Sequence, residues 1–429
     1  MNDLILPVSL YGTAIGHLSR SSAGRSLFTW SAEAANRWPL LATVLSQNIR
    51  VGESSQDATE SFFGALLPEG RWLEQLSREI QVPSNDLVGI FDIVGADLAG
   101  ALTIGAGRDV REPTNVDAVE LAQLIQNASG FMTGGGGSAL PGFQRKITLT
   151  RLDGRWVAGN GAIASTHILK PVDSELRASV ESEQYVLSIG RKLGLTTFDS
   201  WVEDIGNRAV LVIQRYDRAV SGDTIERIHQ EDFAQALGLQ WGGNDKFQSV
   251  NSRANLKAIA TELSRGRSIF ASGESDVERL LRYTVLNVAA GNTDAHAKNF
   301  SILRFADETS RLAPLYDAAP LALAYGAGTA LAMSIAGESQ QPDVTVDHLV
   351  DEAATWGIHR SAAGGIIGEA LEDIVQATRE IPAHETIANH IPGYIRGQAQ
   401  NLVAGRPARI DSVVPLMSLP RLGTAEPRT

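Results

Sequence analysis

Three side chains in the C-terminal half of the chain have the types and the spacing that phosphoryl transfer requires. Asp294 and Asn299 lie five residues apart in the run "DAHAKN", and Asp317 follows in "LAPLYDAAP". In such an arrangement the first aspartate accepts or orients the hydroxyl proton of the acceptor. The asparagine and the second aspartate offer Mg²⁺ the hard oxygen ligands that it prefers. The pattern therefore predicts a site for ATP and Mg²⁺.

The same chemistry requires a lysine that holds the phosphates and an acid that orients this lysine. Lys170 ends the strand-like run "STHILK", and Glu183 lies in the helix-like run "ELRASVESEQYVLSIG". The glycine-rich run "GGGGSALPGFQRK" offers backbone N–H groups for phosphate binding. These parts follow one another in the order in which a bilobal kinase uses them.

Each part also has an ordinary structural alternative when it is taken alone. Asp294 and Asp317 are typical of solvated or capping residues in loops, and Gly134–Gly137 of a flexible linker. Lys170 is consistent with an exposed strand end, and Glu183 with an exposed helix face. The order of the parts, more than any single one, favours the kinase interpretation.

These residues must be positioned by a strand-rich region and a helical region. Residues 1–110 mix strand-like runs with one helical segment at 58–80, and the polar stretch 105–117 marks a boundary. Next come a short helix, the strands "KITLTRL", "RWVAG", "THILKP" and "RAVLVIQRYDRA", a hairpin at "LDG" and a long helix that ends at Gly194. From residue 229 the pattern is mostly helical. We expect an α+β protein with domains at 1–110, 111–228 and 229–429.

Composition limits the classes of partner and compartment. The chain has 37 Lys and Arg against 49 Asp and Glu, a net charge of −12. Such a chain repels a phosphate backbone, so we expect DNA contact only through a basic partner. The lack of cysteine excludes thiolate metal sites and is compatible with a reducing cytoplasm. Since no apolar run reaches the roughly 18–20 residues that cross a bilayer and no basic region precedes the first apolar residues, we expect a cytoplasmic protein without a membrane partner.

The run "NTDAHAKNFSIL" together with "LAPLYDAAP" resembles the catalytic and metal loops of the HipA family of bacterial serine/threonine kinases. Further similar runs are "GFQRK", "THILKP", "ESEQYVLSIGRKLGL", "VIQRYDR" and "RIHQEDFAQALGL". The resemblance covers nearly the whole chain, including a subdomain that precedes the kinase lobes. It implies a bilobal fold distantly related to that of eukaryotic protein kinases.

The resemblance also implies a role for each matching residue. Asp294 would be the catalytic aspartate, Asn299 and Asp317 would bind Mg²⁺, and Lys170, supported by Glu183, would contact the nucleotide phosphates. The other residues of the implied nucleotide site are Pro141, Gly142, Phe143, Gln144, Arg145, Lys146, Gln214, Arg215, Tyr216, His296, Ala297, Lys298 and Tyr316.

Several of these assignments keep alternatives. Gln214 to Tyr216 fall on the hinge that meets adenine, where the family often has Glu and Phe; an amide and a ring can still hydrogen-bond and stack. His296 lines the nucleotide pocket in the family, although a structural hydrogen-bonding role is equally consistent with its type. Lys298 is either a phosphate contact or a solvated side chain.

One position departs from the family pattern. Where the family commonly has an autophosphorylated serine, this chain has Ala139, and Ser138 stands one place earlier. In the family, phosphate on that serine withdraws the loop from the nucleotide site, an outcome that charge repulsion explains. The switch could therefore use Ser138, be absent, or have been removed by a substitution.

The resemblance implies an ATP- and Mg²⁺-dependent kinase that inhibits growth as the toxin of a type II toxin–antitoxin module, a role linked to persistence. It implies a protein substrate such as an aminoacyl-tRNA synthetase, and a HipB-like helix-turn-helix antitoxin that binds the DNA. Two alternatives are a catalytically inert nucleotide-sensing corepressor and a small-molecule kinase, since other kinase classes share a D-x-x-x-x-N loop.

Overall fold

The computed structural model describes residues 4–21, 24–105, 112–127, 140–141, 146–159, 161–222, 224–266, 273–324 and 328–410. Helices and strands are both abundant, as an α+β protein requires. Among these residues, no helix is both long enough and apolar enough to cross a membrane.

The N-terminal region builds an antiparallel sheet with strand order β3-β2-β1-β4. Its strands are β1 (Ile5–Leu10), β2 (Thr13–Arg20), β3 (Ser26–Trp30) and β4 (Leu102–Ile104). Its helices are α1 (Ala32–Arg37), α2 (Gln56–Gly64), α3 (Arg71–Ile80) and α4 (Leu87–Val94). Alternate residues of β1, namely Leu6, Val8 and Leu10, are buried in the core, as expected for a sheet with one covered face.

The predicted single helix at 58–80 is wrong, because the chain leaves the helix between α2 and α3. Pro68 lacks an N–H group, and Gly70 has φ of 54°, a left-handed conformation that glycine adopts without strain. The break produces a tight connection that carries Glu69, a residue whose position matters for the site described below.

A second antiparallel sheet has the strand order β5-β7-β6-β8-β10-β9. Its strands are β5 (Thr114–Val116), β6 (Ile147–Leu152), β7 (Arg155–Ala158), β8 (His167–Asp173), β9 (Ser200–Ile205) and β10 (Arg208–Gln214). The helices of this region are α5 (Ala118–Asn127) and α6 (Arg177–Lys192). The predicted strands at 146–152, 155–159 and 166–171 and the "LDG" hairpin are confirmed, and Asp153 and Gly154 at its turn both have positive φ. The run predicted as one strand at 208–219 is divided, because β10 ends at Gln214.

The helix α6 packs on the face of this sheet that carries Val172 and Leu211. Its inner residues Val180 and Leu187 are buried there. Glu183 lies on the same buried side of α6 and is 4% exposed. The sheet and the helix thus bring β8 and a helical carboxylate together, which is the arrangement that positions Lys170.

The C-terminal region is mainly helical, but it also contains short strands that the sequence reading from residue 229 did not predict. Its strands are β13 (His229–Asp232), β14 (Ser301–Arg304), β15 (Ser310–Leu312), β16 (Ala330–Ile335) and β17 (Glu338–Gln340), and a hairpin of β11 (Arg218–Ser221) and β12 (Thr224–Arg227) precedes them. Its helices are α7 (Phe233–Ala236), α8 (Leu256–Leu263), α9 (Asp276–Ala290), α10 (Val346–Thr355), α11 (Arg360–Glu380), α12 (Glu385–Ala388) and α13 (Ile391–Val403). The core is formed around α9 and α11, and the β13-β14-β15 sheet lies beside the predicted catalytic loop.

The N-terminal region packs directly against the C-terminal region. Trp38 donates its indole N–H to the carbonyl of Ala306 at 2.9 Å, and Asn48 donates to the carbonyls of Gln235 and Ala236 at 2.9 and 2.7 Å. Such contacts between side chains and distant backbone fix the two regions relative to each other.

Candidate active site

The predicted catalytic loop is held at both ends by regular structure. α9 ends at Gly291, whose φ of 71° turns the chain out of the helix, and β14 begins at Ser301. Within the loop the side-chain amide of Asn299 donates to the carbonyl oxygen of Asp294 at 2.8 Å. The N–H of His296 donates to the same oxygen at 2.7 Å. The five-residue spacing of Asp294 and Asn299 therefore closes a short hydrogen-bonded ring that holds the side chain of Asn299 against the backbone of Asp294.

Asp294 is half-buried, and it forms no ion pair with the described residues. Burial raises its pKa to about 6, Lys246 opposes this change, and Asp317 adds to it. A carboxylate with a raised pKa and without a bound cation is a suitable proton acceptor at neutral pH.

Lys170 bridges two carboxylates; its contact with Glu183 was predicted from the sequence, and its contact with Asp317 was not. Its ammonium lies 2.7 Å from Oε1 of Glu183 and 2.6 Å from Oδ1 of Asp317. The Lys170 side chain is 10% exposed and that of Glu183 is 5% exposed. The alternatives of an exposed strand end and an exposed helix face are therefore wrong.

Electrostatic interactions keep Lys170 and Asp317 charged. Burial disfavours charge on Lys170, but Asp317 and Glu183 outweigh it and raise the pKa of the ammonium above its usual value. Burial likewise opposes charge on Asp317, but Lys170 outweighs it and lowers the pKa of the carboxyl to about 2. Burial raises the pKa of Glu183. The site thus presents one cation and one anion side by side.

Asp317 and Asn299 fit the ligand set for Mg²⁺. The Asp317 side chain is 44% exposed, so its second oxygen is accessible, and its φ of 52° is unusual for a residue other than glycine. The amide nitrogen of Asn299 is already used within the loop, which leaves its carbonyl oxygen for a ligand. The described residues contain no cluster of three or more His, Asp or Glu side chains arranged for a metal. Mg²⁺ takes one or two protein oxygens and completes its shell with phosphates and water, so one carboxylate and one amide oxygen would be enough to hold it.

Aromatic residues line the space beside the loop. The rings of Tyr216 and Tyr316 lie 5.5 Å apart, and the Tyr316 hydroxyl donates to the carbonyl of Lys298 at 2.7 Å. His296 packs against Phe247 at 5.2 Å, and burial lowers its pKa to about 3. Its buried Nδ1 atom has no hydrogen-bond partner among the described residues. An unpartnered buried nitrogen at this point is consistent with a pocket that is completed by a ligand.

The predicted hinge residues are not equivalent in the structure. Gln214 accepts the backbone N–H of Asp199 through its side-chain oxygen at 3.2 Å. The guanidinium of Arg215 is 2% exposed and contacts Asp217, Ser165 and the carbonyl of Leu98 at 2.8–2.9 Å. The side chain of Arg215 therefore links the hinge to the N-terminal region, so an adenine contact by this residue would involve its backbone.

The predicted phosphate loop is described in part. Lys146 donates to the carbonyl oxygen of Pro141, and burial together with the charge of Lys170 lowers its pKa to about 8. That influence places Lys146 near Lys170. Gly142 to Arg145, Ser138 and Ala139 lie outside the described residues, so their assignments stay predictions.

Sequence reasoning missed Glu69 and Lys246, two residues that contact the catalytic loop. Lys298 is ion-paired with Glu69 at 2.5 Å and is 10% exposed, so the alternative of a solvated side chain is wrong. Lys246 pairs with the other oxygen of Glu69 at 2.8 Å, and its carbonyl accepts the N–H of Ala297 at 3.2 Å. The sequence signal for Glu69 is weak: a single acid after the apolar run "FFGALLP".

Comparisons with known proteins identify the family. The HipA-like C-terminal domain model matches residues 138–378, and the HipA N-terminal domain model matches residues 6–105. The chain is 32% identical to the Sinorhizobium fredii protein named "Putative kinase Y4mE" over 74% of this chain and 77% of that protein. It is 24% identical to the serine/threonine-protein kinase toxin HipA of Shewanella oneidensis over 91% of this chain and 93% of that protein.

A solved structure supports the same relation at the level of the fold. The structure of Shewanella oneidensis HipA in complex with HipB and operator DNA superposes with a TM-score of 0.77, at 20% identity, over 93% of this chain and 96% of that chain. The kinase-like α+β fold expected from the sequence is thereby confirmed. With both domain models matched in order along its length, this chain belongs to the HipA family.

Proposed function

We propose that this protein is an ATP- and Mg²⁺-dependent serine/threonine kinase that phosphorylates a protein. The observation that carries the proposal is the Lys170 ammonium held between Glu183 and Asp317, in the same site as the ring of Asp294 and Asn299. A cation for phosphates, an anion for a metal and a proton acceptor are the parts that positioning and electrostatic stabilisation of phosphoryl transfer require.

Each residue has a stated task in this proposal. Lys170 would bind the phosphates of ATP, and Glu183 would hold its ammonium in place. Asp317 and Asn299 would hold Mg²⁺, which when bound neutralises charge on the triphosphate. Asp294 would orient the acceptor hydroxyl and take up its proton. Tyr216 and the unpartnered Nδ1 of His296 would contribute to the nucleotide pocket.

We further propose that the kinase is the toxin of a toxin–antitoxin module in the cytoplasm. The Shewanella oneidensis relative of similar fold is a HipA that assembles with HipB and operator DNA. A HipB-like helix-turn-helix antitoxin is the corresponding partner here, and the net charge of −12 supports DNA contact through that partner. The substrate would be a protein of translation, such as an aminoacyl-tRNA synthetase, and Ser138 would be the site of any autophosphorylation in the phosphate loop.

Labelled ATP with Mg²⁺ and a cell lysate tests the kinase proposal directly. We expect label in protein, on serine or threonine, with the wild-type chain and no such label with Asp294→Ala. Absence of label from every protein band with both chains would refute the proposal. Label in a small metabolite instead of protein would favour a small-molecule kinase.

A pair of variants separates the roles of the two aspartates. Asp317→Ala should abolish Mg²⁺-dependent ATP binding because the metal loses its carboxylate. Asp294→Ala should bind ATP with wild-type affinity while transfer falls by about 10³-fold or more, because its contribution belongs to the reaction and not to the ground state. Calorimetric titration of ATP with and without Mg²⁺ measures both, and an equal loss of affinity in Asp294→Ala would show that Asp294 is misassigned.

A further inference from the structure

The connection between α2 and α3 brings one carboxylate of the N-terminal region to the catalytic loop. Glu69 is 6% exposed, and each of its oxygens contacts a different lysine. Oε2 lies 2.8 Å from the ammonium of Lys246, and Oε1 lies 2.5 Å from that of Lys298. One buried anion thus compensates two buried cations that belong to the C-terminal region.

Both lysines are joined to the catalytic loop itself. Lys298 is part of the loop, and its ammonium also donates to the carbonyl of Ala65 at 3.3 Å and lies 3.9 Å from Asp232. The backbone carbonyl of Lys246 accepts a hydrogen bond from the backbone N–H of Ala297 at 3.2 Å. The short 3₁₀ helix Ala297–Asn299 is therefore fixed to Glu69 through two independent routes.

The charges around Asp294 explain what this arrangement achieves. The Lys246 ammonium is close enough to favour the ionised form of Asp294, while Glu69 acts in the opposite direction. Burial disfavours charge on Glu69, but Lys298 and Lys246 outweigh burial and lower its pKa to about 2, so it is an anion at neutral pH. Without that anion the two buried ammonium groups would depend on other acceptors, and Asp294 is a carboxylate whose charge already interacts with that of Lys246.

We propose that Glu69 is a positioning residue for the reaction: it occupies the ammonium groups of Lys246 and Lys298, and it thereby keeps Asp294 unpaired and the 294–299 loop in place. The N-terminal region then supplies a part of the active site from outside the kinase lobes. The inference rests on the proposed kinase function for its effect on transfer, but the restraint on the loop is independent of that function.

The test compares Glu69→Gln with Glu60→Gln in the full-length chain. Glu60 is a matched control because it belongs to the same region and pairs with Arg25 at 2.8 Å, on the surface and away from the loop. Single-turnover transfer from labelled ATP, ATP affinity in Mg²⁺ and hydrogen exchange of the peptide spanning 292–300 are measured for each. Glu69→Gln should lower transfer by about 10–100-fold, the range for a displaced catalytic group, with ATP affinity changed less than about threefold and with faster exchange in the peptide.

A second variant separates positioning from simple loss of stability. Glu69→Gln combined with Lys246→Met removes the cation that would pair with Asp294, so it should transfer phosphate faster than Glu69→Gln alone. The double variant also removes an unpaired buried cation, so it should regain stability in either case. A merely structural role therefore predicts equal transfer by Glu69→Gln and by the double variant at a temperature at which both are fully folded.

The outcomes are distinguishable from failure of the proposed function. If phosphate transfer is unchanged in Glu69→Gln, the inference is overturned and the kinase proposal stays intact. The same holds if transfer falls together with ATP affinity and melting temperature. If the wild type transfers no phosphate to any protein, the kinase proposal fails, and hydrogen exchange still tests whether Glu69 restrains the loop. Exchange in Glu69→Gln equal to that in the wild type overturns the restraint, and faster exchange supports it.

Discussion

Replacing Lys170 by methionine tests the ion-pair bridge at the centre of the site. Methionine keeps most of the length of the apolar stem and removes the charge that compensates Glu183, whose side chain is 5% exposed. A buried carboxylate that loses its partner either stays charged at high cost or takes up a proton. Protonation of Glu183 limits the loss of stability, and it makes that loss depend on pH.

The size of the effect follows from the pKa of that carboxyl. An isolated glutamate has an ordinary pKa of 4.5, and each pH unit above it costs about 1.36 kcal/mol to keep the group protonated. The cost of protonating Glu183 in Lys170→Met is therefore at most about 3.4 kcal/mol at pH 7 and about 0.7 kcal/mol at pH 5. Because burial already raises the pKa of Glu183 in the wild type, we expect about 1–3 kcal/mol at pH 7. Asp317 adds little, since its side chain is 44% exposed and water screens its half of the bridge.

The sign of the pH dependence follows from the same shift. In the variant the folded state binds a proton on Glu183 at a pH where the unfolded state does not. Its stability relative to wild type is therefore highest at pH 4.5 and below, and it falls as pH rises above 4.5. Urea denaturation of both proteins at pH 5, 6, 7 and 8 measures this difference directly.

The double variant Lys170→Met with Glu183→Gln separates the structural role of the bridge from nucleotide binding. It should recover most of the stability at pH 7, because no buried charge remains unpaired, yet it should bind ATP as weakly as Lys170→Met. A pH-independent loss of stability in Lys170→Met, or wild-type ATP affinity in the double variant, would refute this account of the bridge.

Three further changes have expected outcomes outside the bridge. Gly291→Ala should destabilise the fold by about 1–2 kcal/mol and slow transfer, because φ there is 71° and a Cβ atom would lie 2.7 Å from the Tyr394 hydroxyl; denaturation and transfer assays check it. Asp217→Asn should cost about 3–5 kcal/mol in urea denaturation, since the buried guanidinium of Arg215 loses its nearest carboxylate. Burial lowers the pKa of His229 from 6.5 to about 4. Its neutral form therefore contributes stability above pH 6.5 that is lost as pH falls to 4, about 3.4 kcal/mol in all. In His229→Gln, stability measured by denaturation should fall less steeply as pH falls from 6.5 to 4.

Local pattern was sufficient to predict which residues lie close together where short, regular segments join them. Lys170 and Glu183 meet because a strand is followed at once by a helix that packs back on it, so burial on one face of each brings the two side chains together. Asp294 and Asn299 meet because five residues of loop close on one carbonyl oxygen. In such cases, residues that are close in the sequence are also close in the folded structure.

The contacts that the sequence did not predict join distant segments. Glu69 and Lys298 are more than two hundred residues apart, and the chain has 49 acidic residues that are all formally able to pair with a given lysine. Choosing among them requires the tertiary arrangement. The prediction of one helix at 58–80 also hid the connection that carries Glu69, because helical spacing was given more weight than Pro68 and Gly70.

Arg215 illustrates why position alone does not assign a role. Its place at the end of β10 predicts a hinge contact with nucleotide, but its guanidinium pairs with Asp217 and reaches the carbonyl of Leu98. With the Glu69 pair, the hydrogen bond to Leu98 makes a second buried polar contact that joins the N-terminal region to the kinase lobes. Removing residues 6–105 would leave Lys246 and Lys298 without their shared anion, so the lobes lose charge compensation at the catalytic loop when they lose that region. Single substitutions in the full chain therefore test the active site more directly than an isolated kinase domain does.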